Sequence, residues 1–192
     1  MKKLLSNIAI ACLALCSSTV FADSECHVIG SHVGNTYTGP TTCDHVTLSS
    51  ITVLGPLMAS ATTIQGNATV SGPLNAKQSS TFSGTTTING PITVEDTHFG
   101  GSGNTVNVHG PVTATNSTFS GTLEYWSNKS TLTGTTTKDV LVENQQTCPQ
   151  QLYLNANTQV NGNIKFESGC GEVYLASGSH ISGQVTGGKI IN

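Results

Sequence analysis

The segment that decides the fold is residues 64–94, IQGNATVSGPLNAKQSSTFSGTTTINGPITV. Small or apolar residues alternate with polar residues from Ile64 to Ala76, and the alternation returns eighteen positions later, from Phe82 to Val94. A period of two is typical of strands with one buried face, and the abundant β-branched residues favour strands. The segment therefore predicts two consecutive turns of one repeating structure built from short strands.

Copies of this unit occur elsewhere in the chain. The clearest have the form Gly-Pro-apolar-x-apolar and begin at Gly55, Gly72, Gly90 and Gly110. Weaker copies keep only an apolar residue, a polar residue and the glycine, and their glycines are Gly121, Gly134, Gly162 and Gly183. Glycine relieves crowding where a chain bends, and the proline cannot donate into a central ladder. These glycines are therefore predicted to mark corners.

The regular offset of the units separates a solenoid from other all-β folds. The four clear copies are 17, 18 and 20 residues apart, and equivalent positions of successive solenoid coils stack about 4.8 Å apart. We predict an all-β fold, a single parallel β-solenoid of roughly eight coils of about 17–21 residues each. A sandwich or jelly roll, which also alternates, is the alternative.

The N-terminal residues have the features of a secretory signal peptide, residues 1–22. Lys2 and Lys3 precede an apolar run at 8–15, and Ala22 ends a small-residue cleavage site. A lipid anchor on a cysteine of this segment is the alternative. We therefore predict an exported protein, which is periplasmic, on the cell surface or extracellular.

The rest of the chain is predicted to form one domain with a short N-terminal addition. Residues 23–47 are predicted to be a cysteine-tied segment or cap, and residues 48–192 the solenoid. The alternation breaks at 143–151, which predicts a loop that leaves the rod and is held by Cys148.

Charge and hydropathy exclude two classes of partner. Beyond residue 22 the chain has five lysines, ten acidic residues and no arginine, a formal charge of −5. Nucleic-acid binding rests on clustered basic residues, so no nucleic acid is expected. No apolar stretch beyond residue 22 is long enough to span a bilayer, so no transmembrane segment is expected in the mature chain.

The repeat resembles that of the bactofilins, which are polymer-forming bacterial β-helix proteins. The resemblance is carried by coil length and by units such as TVSGPL at 69–74 and TINGPI at 87–92, and it extends over residues 50–125. It implies a right-handed β-helix that assembles end to end and has no catalytic residues. The chain departs from the family in its export signal and in its cysteines.

Four cysteines remain beyond the signal segment, at the spacing of one coil. Cys26 and Cys43 are 17 residues apart, and Cys148 and Cys170 are 22 apart. Residues stacked one coil apart have Cα atoms near 5 Å, within the range of a disulfide. We predict the disulfides Cys26–Cys43 and Cys148–Cys170, in agreement with export.

A metal site is the alternative at the N-terminal end. The Cys-His pair at 26–27, His32 and the Cys-Asp-His run at 43–45 supply ligand types that zinc uses, at a spacing that matches no usual pattern. The disulfide is favoured, and no metal or other cofactor is predicted.

The sequence favours a protein that is not an enzyme. Enzymes built on β-helices gather several carboxylates on one face, whereas the adjacent pair Glu95 and Asp96 points to opposite faces of a strand. Tyr125 and Trp126 form the one dense aromatic site and are the candidate binding residues. The spacing after Gly121 favours a core position for Tyr125. It does not assign Trp126 to the core or to the surface. Threonine runs suggest an ice-binding face as a minor alternative.

The leading hypothesis is therefore an exported, non-catalytic structural protein that assembles with itself end to end into filaments or surface structures. Its basis is the C-terminal segment 187–192, which is strand-like and ends in apolar residues. A strand at the end of a solenoid has an unpaired edge, and such edges pair with other chains unless they are blocked. The alternative is an adhesin-like surface stalk that binds glycans or a partner surface.

Overall fold

The computed structural model describes residues 24–26, 35–101 and 103–191, whose 25 short strands are numbered β1 to β25 in chain order. Every strand pairs with parallel neighbours from adjacent coils. The chain winds as a β-solenoid of about nine turns, which confirms the predicted right-handed β-helix. The described part of the chain contains no helix long and apolar enough to cross a bilayer.

Three stacks of strands form the faces of the rod, named A, B and C. Face A contains β1 (Ser24–Glu25), β3 (Thr41–Asp44), β6 (Leu57–Ser60), β9 (Leu74–Lys77), β12 (Ile92–Glu95), β15 (Val112–Thr115), β17 (Lys129–Thr133), β19 (Gln150–Asn155), β22 (Gly171–Leu175) and β25 (Gly188–Ile191). Face B contains β2 (Asn35–Thr38), β5 (Ile51–Leu54), β8 (Ala68–Val70), β11 (Thr86–Ile88), β14 (Thr105–Val108), β21 (Ile164–Phe166) and β24 (Val185–Thr186). Face C contains β4 (Thr47–Leu48), β7 (Thr63–Ile64), β10 (Thr81–Phe82), β13 (His98–Phe99), β20 (Gln159–Val160) and β23 (His180–Ile181).

Two longer strands, β16 (Thr118–Tyr125) and β18 (Thr136–Val142), continue from face C into face B. Along each coil the chain passes from face C to face B and then to face A. Coil length varies from 16 residues, between Thr41 and Leu57, to 24 residues, between Val140 and Ile164.

The rod begins earlier in the chain than residue 48. Strands β2 and β3 lie in the predicted N-terminal segment 23–47, and they pair in register with β5 and β6. These strands account for the additional turn relative to the number indicated by the sequence. The predicted signal peptide, residues 1–22, lies outside the described residues.

The core is a column of inward side chains, one or two from each strand. Phe82, Phe99 and Phe119 stack along face C, with ring centroids 5.1 and 4.8 Å apart. Strand β16 shows the alternation clearly, because every second residue along its length is buried. The period of two in the sequence thus becomes a continuous apolar interior.

The corner between faces B and A is the site of the Gly-Pro units. A Cβ on Gly72 would lie 2.9 Å from the carbonyl carbon of Gly55, and one on Gly110 would lie 2.8 Å from that of Gly90. Backbone therefore stacks on backbone here, and only glycine fits. A further Gly-Pro unit, Gly39-Pro40, begins this stack, and Gly55 packs against Gly39. It was not recognised in the sequence because it is followed by Thr41, where the other units have an apolar residue.

The weaker copies do not belong to this corner, so their interpretation as copies of the Gly-Pro unit is wrong. Gly121, Gly162 and Gly183 lie at the corner between faces C and B, where Gly183 packs on Gly162. Gly134 lies at the corner between faces A and C and has φ +57°. All three corners require tight bends, so glycine by itself does not identify the corner.

The corner between faces A and C carries a buried row of hydroxyl side chains. Each coil first places one or two residues in the left-handed region, as at Ala61 (φ 47°) and Asp96 (φ 47°). The buried hydroxyl follows, and the amide of Thr97 donates to Ser117 Oγ at 3.1 Å. The members of this row are Thr62, Ser80, Thr97, Ser117, Thr135 and Thr158.

The predicted loop is present and slightly shorter than expected. It extends over 143–149, because β19 begins at Gln150. The side-chain amide of Gln150 donates to the carbonyl oxygens of Glu143 at 2.7 Å and Ser127 at 3.2 Å, which fixes the base of the loop.

Candidate functional site

The C-terminal end of the rod exposes apolar side chains at inward positions that are completely buried one coil earlier. Its last coil directs one apolar residue inwards from each face, namely Ile181 from C, Val185 from B and Ile190 from A. Their partners one coil earlier, Val160, Ile164 and Val173, are completely buried. Ile190 is instead 45% exposed, and the other two are half-buried. We call these three residues the end triad.

The strands of this last coil also have free edges. Strands β23, β24 and β25 each pair with one neighbour, β20, β21 and β22, and no other described strand lies beside them. Such edges present backbone donors and acceptors that pair readily with another chain. Apolar side chains and unpaired backbone therefore coincide at one end of the rod.

At the N-terminal end the inward residues of faces A and C are buried, whereas Tyr37, the inward residue of face B, is half-buried like Ile181 and Val185. Cys26 on face A is 5% exposed and Leu48 on face C is 2% exposed. Cys26 and Cys43 form a disulfide across adjacent coils, with Cα atoms 4.7 Å apart, and the amide of Cys26 donates to the carbonyl of Thr42 at 2.9 Å. The predicted pairing is confirmed, and it ties the first described strand to the rod.

The second predicted disulfide, Cys148–Cys170, is also formed, with Cα atoms 5.8 Å apart. It joins the 143–149 loop to the segment that precedes β22. A cleft of about 570 Å³ lies between this disulfide and the last coil, and it is lined largely by glycine backbone, with Glu172 and Lys189 at its rim. Lys189 Nζ lies 3.2 Å from Glu172 Oε1.

The two predicted aromatic binding residues have different environments. Tyr125 is completely buried, and this burial raises the pKa of its phenol far above the usual range. It belongs to the core and cannot contact a ligand, which corrects its assignment as a binding residue. Trp126 is half-buried at the surface and packs on His109, with ring centroids 4.4 Å apart and an angle of 55°.

Polar side chains lie along the same edge of the rod as Trp126. His109 Nδ1 lies 2.6 Å from Asn89 Oδ1 in the preceding coil. Burial, and then the nearby charge of Glu143, raise the pKa of Glu124 above its usual value. Lys165 pairs with Glu167 at 2.7 Å, and this hydrogen bond raises the pKa of Lys165. Among these groups, His109 is the one that contacts the indole of Trp126 in the described structure.

A second aromatic feature lies on face A, away from Trp126. Tyr153 and Tyr174 stack with ring centroids 4.5 Å apart and an angle of 7°, and Lys129 Nζ lies 4.8 Å from the centroid of Tyr153. The Tyr174 hydroxyl donates to Glu172 Oε2 at 2.9 Å and lowers the pKa of that carboxyl. The rings cover each other's faces, so they stabilise the coils and do not form an open platform for a sugar.

The structure does not assemble the alternative metal site. Cys26 and Cys43 are joined as a disulfide, and His45 contacts Asp44 at 2.9 Å. His27 and His32 lie outside the described residues. Within the described ranges, no group of three or more His, Cys, Asp or Glu side chains could hold a metal ion.

Comparison with protein families, with curated proteins and with solved structures finds no match for this chain. The resemblance to bactofilins thus stays a prediction from the repeat. Function has to be inferred from the geometry of the rod, its ends and its surface.

Proposed function

We propose that the protein is an exported, non-catalytic structural rod that associates end to end with another copy of itself through its C-terminal coil. The observation that carries this proposal is the end triad, because Ile181, Val185 and Ile190 continue the core column and lack the cover that their counterparts have. A second molecule supplies the missing layer, as one coil does for the next.

The magnitude of the exposed surface supports association. Full burial of a Val or Ile side chain stabilises by about 1.5–3 kcal/mol. Completing the burial of Ile190, which is 45% exposed, and of the two less exposed residues therefore contributes on the order of 1–3 kcal/mol. New hydrogen bonds along β23, β24 and β25 add roughly 0.5–1.5 kcal/mol each, against the entropy lost on association.

Export is the second part of the proposal. Two disulfides support an oxidising compartment, because such bonds persist in secreted and periplasmic proteins and are rare in the cytosol. The signal-like residues 1–22 support the same location. The weakly charged, threonine-rich surface suits a passive element of a cell envelope or surface structure.

The test compares two substitutions at exposed apolar residues of face A. Ile190→Lys places a charge in the end triad, and Met58→Lys is the matched control, because Met58 is 54% exposed on the outer surface of β6. Light scattering over a concentration series should show association for the wild type and for Met58→Lys, and monomers for Ile190→Lys. A wild type that stays monomeric at every concentration refutes the proposal.

A binding stalk is the second candidate, and the half-exposed Trp126 favours it. The indole packs on His109, whose Nδ1 contacts Asn89 Oδ1, so an apolar ring face lies beside hydrogen-bonding side chains, which is a combination that commonly binds sugars. Titration of tryptophan fluorescence with neutral oligosaccharides tests this candidate directly, because Trp126 is the chain's single tryptophan. Saturable quenching that Asn89→Ala weakens supports it, and an unchanged spectrum excludes it.

A further inference from the structure

The chain contains two Asn-Gly steps, Asn89-Gly90 and Asn161-Gly162, and both asparagines are exposed. We propose that Asn89 is a self-modification site, at which the amide nitrogen of Gly90 closes on the side-chain carbonyl carbon of Asn89 and the side chain becomes a carboxylate. The reagents are the chain's own backbone and water. Asn161 is followed by the same residue type, but the structure around it opposes the reaction.

The two glycine amides differ in their hydrogen bonds. The amide of Gly162 donates to the carbonyl oxygen of Lys138 at 2.6 Å, whereas the amide of Gly90 donates to no acceptor among the described residues. Ring closure converts the glycine nitrogen into an imide nitrogen, which carries no hydrogen. Closure at Asn161 therefore breaks a hydrogen bond and closure at Asn89 breaks none, which favours Asn89 by about two- to tenfold.

The carbonyl group that is attacked has a hydrogen-bond donor beside it. His109 Nδ1 lies 2.6 Å from Asn89 Oδ1, and because an amide oxygen only accepts, the imidazole is the donor. Negative charge develops on this oxygen as the nitrogen of Gly90 adds to the carbonyl carbon. A donor that is already in place stabilises such charge, so His109 assists ring closure at Asn89.

Ammonia and water complete the reaction. The bond between the Gly90 nitrogen and Asn89 Cγ forms, and the bond between Cγ and Nδ2 breaks. The Nδ2 group takes the amide proton of Gly90 and leaves as ammonia. Water then opens the cyclic imide at one of its two carbonyl carbons, which gives aspartate or isoaspartate at position 89.

The product changes the surface next to Trp126. A carboxylate at position 89 lies against His109, which packs on Trp126 with ring centroids 4.4 Å apart. A neutral hydrogen-bonding group is thereby replaced by a negative charge beside the chain's single tryptophan. The modification is independent of the end triad, so it is tested separately from the association of the rod.

The experiment follows both asparagines in one sample of the purified, oxidised protein. The protein is incubated at mildly alkaline pH, in buffer and in concentrated urea, and peptide mapping by mass spectrometry measures the converted fraction at each site. In buffer, Asn89 should be converted about tenfold faster than Asn161. In urea, where the coils no longer distinguish the two sites, the two rates should become similar.

The variant His109→Phe tests the part of the imidazole, because it keeps a ring against Trp126 and removes the donor. It should slow the conversion of Asn89 by about two- to tenfold in buffer. An unchanged rate at Asn161 in the same sample shows that the variant is folded. A wild-type rate at Asn89 in this variant refutes the role of His109.

Two other results overturn the inference as a whole. One is an Asn161 that is converted in buffer as fast as Asn89, because the hydrogen bond of Gly162 then gives no protection. The other is an Asn89 that stays unconverted in buffer and is converted in urea, because the folded corner then blocks the closure that the free Gly90 amide is inferred to permit.

Discussion

The stacked rings on face C give the most direct test of the inward register. Phe99 is 2% exposed and lies between Phe82 and Phe119 at centroid distances of 5.1 and 4.8 Å. Phe99→Ala removes the ring from both contacts and leaves a cavity between fixed neighbours. The matched control is His98→Ala, because His98 is adjacent in the same two-residue strand and is exposed.

The expected loss follows from the known effects of core truncation. Replacing a buried phenylalanine with alanine lowers the free energy of unfolding by about 3–5 kcal/mol. Each aromatic pair contributes about 0.5–1.5 kcal/mol beyond burial. Because Phe99 makes two such ring contacts, its loss should lie towards the upper end of the range. An exposed substitution such as His98→Ala should stay within about 0.5 kcal/mol.

Urea unfolding followed by far-ultraviolet circular dichroism measures both variants. Because adjacent coils stabilise one another, the slope of the transition must be compared as well as its midpoint. A Phe99→Ala protein that unfolds at the same urea concentration as His98→Ala would contradict the inward register of face C, and with it the order of the core column.

Three further results are expected. Gly72→Ala should lower stability by about 1–3 kcal/mol, because its Cβ meets the Gly55 backbone; a neutral effect would show that the Gly-Pro corner is not tightly packed. Glu124→Gln should be more stable than the wild type at neutral pH. The pKa of Glu124 is raised in the folded state, so the folded protein favours the protonated carboxyl. Protonated Glu124 is therefore fully compatible with the fold below its unfolded pKa, and stability is lost as pH rises through the folded pKa and the carboxyl ionises. The gain should disappear in acid, and a pH-independent gain would remove the titration as its cause. Serine at both Cys148 and Cys170 should lower the free energy of unfolding by about 2–4 kcal/mol, and an unchanged urea midpoint would contradict this.

The sequence contained the architecture because the repeat is local. The alternation from Ile64 to Ala76 predicts strands, and its return at Phe82 predicts stacking. Both disulfides followed from one-coil spacing. The number of turns was harder to predict from the sequence. The first Gly-Pro unit is followed by the polar Thr41, where the other units have an apolar residue, so it was not counted as a turn.

Features that depend on three-dimensional packing were not accessible. Gly121 and Gly134 share a short pattern with Gly72 but lie at different corners, since each corner accepts glycine for its own steric reason. The hydroxyl row at the corner between faces A and C was also missed. Its signal is a Ser or Thr two positions before an inward apolar residue, as at Thr62 and Ile64 or Thr97 and Phe99.

The candidate site was the least predictable feature. The sequence marked the C-terminal segment as strand-like and apolar, but exposure of Ile190 depends on whether another coil follows it in space. Tyr125 illustrates the opposite case, because its neighbour Trp126 reaches the surface while Tyr125 fills the core. Adjacent residues on a strand point in opposite directions, so one aromatic pair serves two different purposes.

The central claim, association through the C-terminal coil, is tested most directly by the length of the particle in solution. Small-angle X-ray scattering of the wild type should give a particle at least twice as long as the single rod of about 40 Å, and Ile190→Lys should give the single rod with the same cross-section. Equal lengths for the two proteins would contradict the claim.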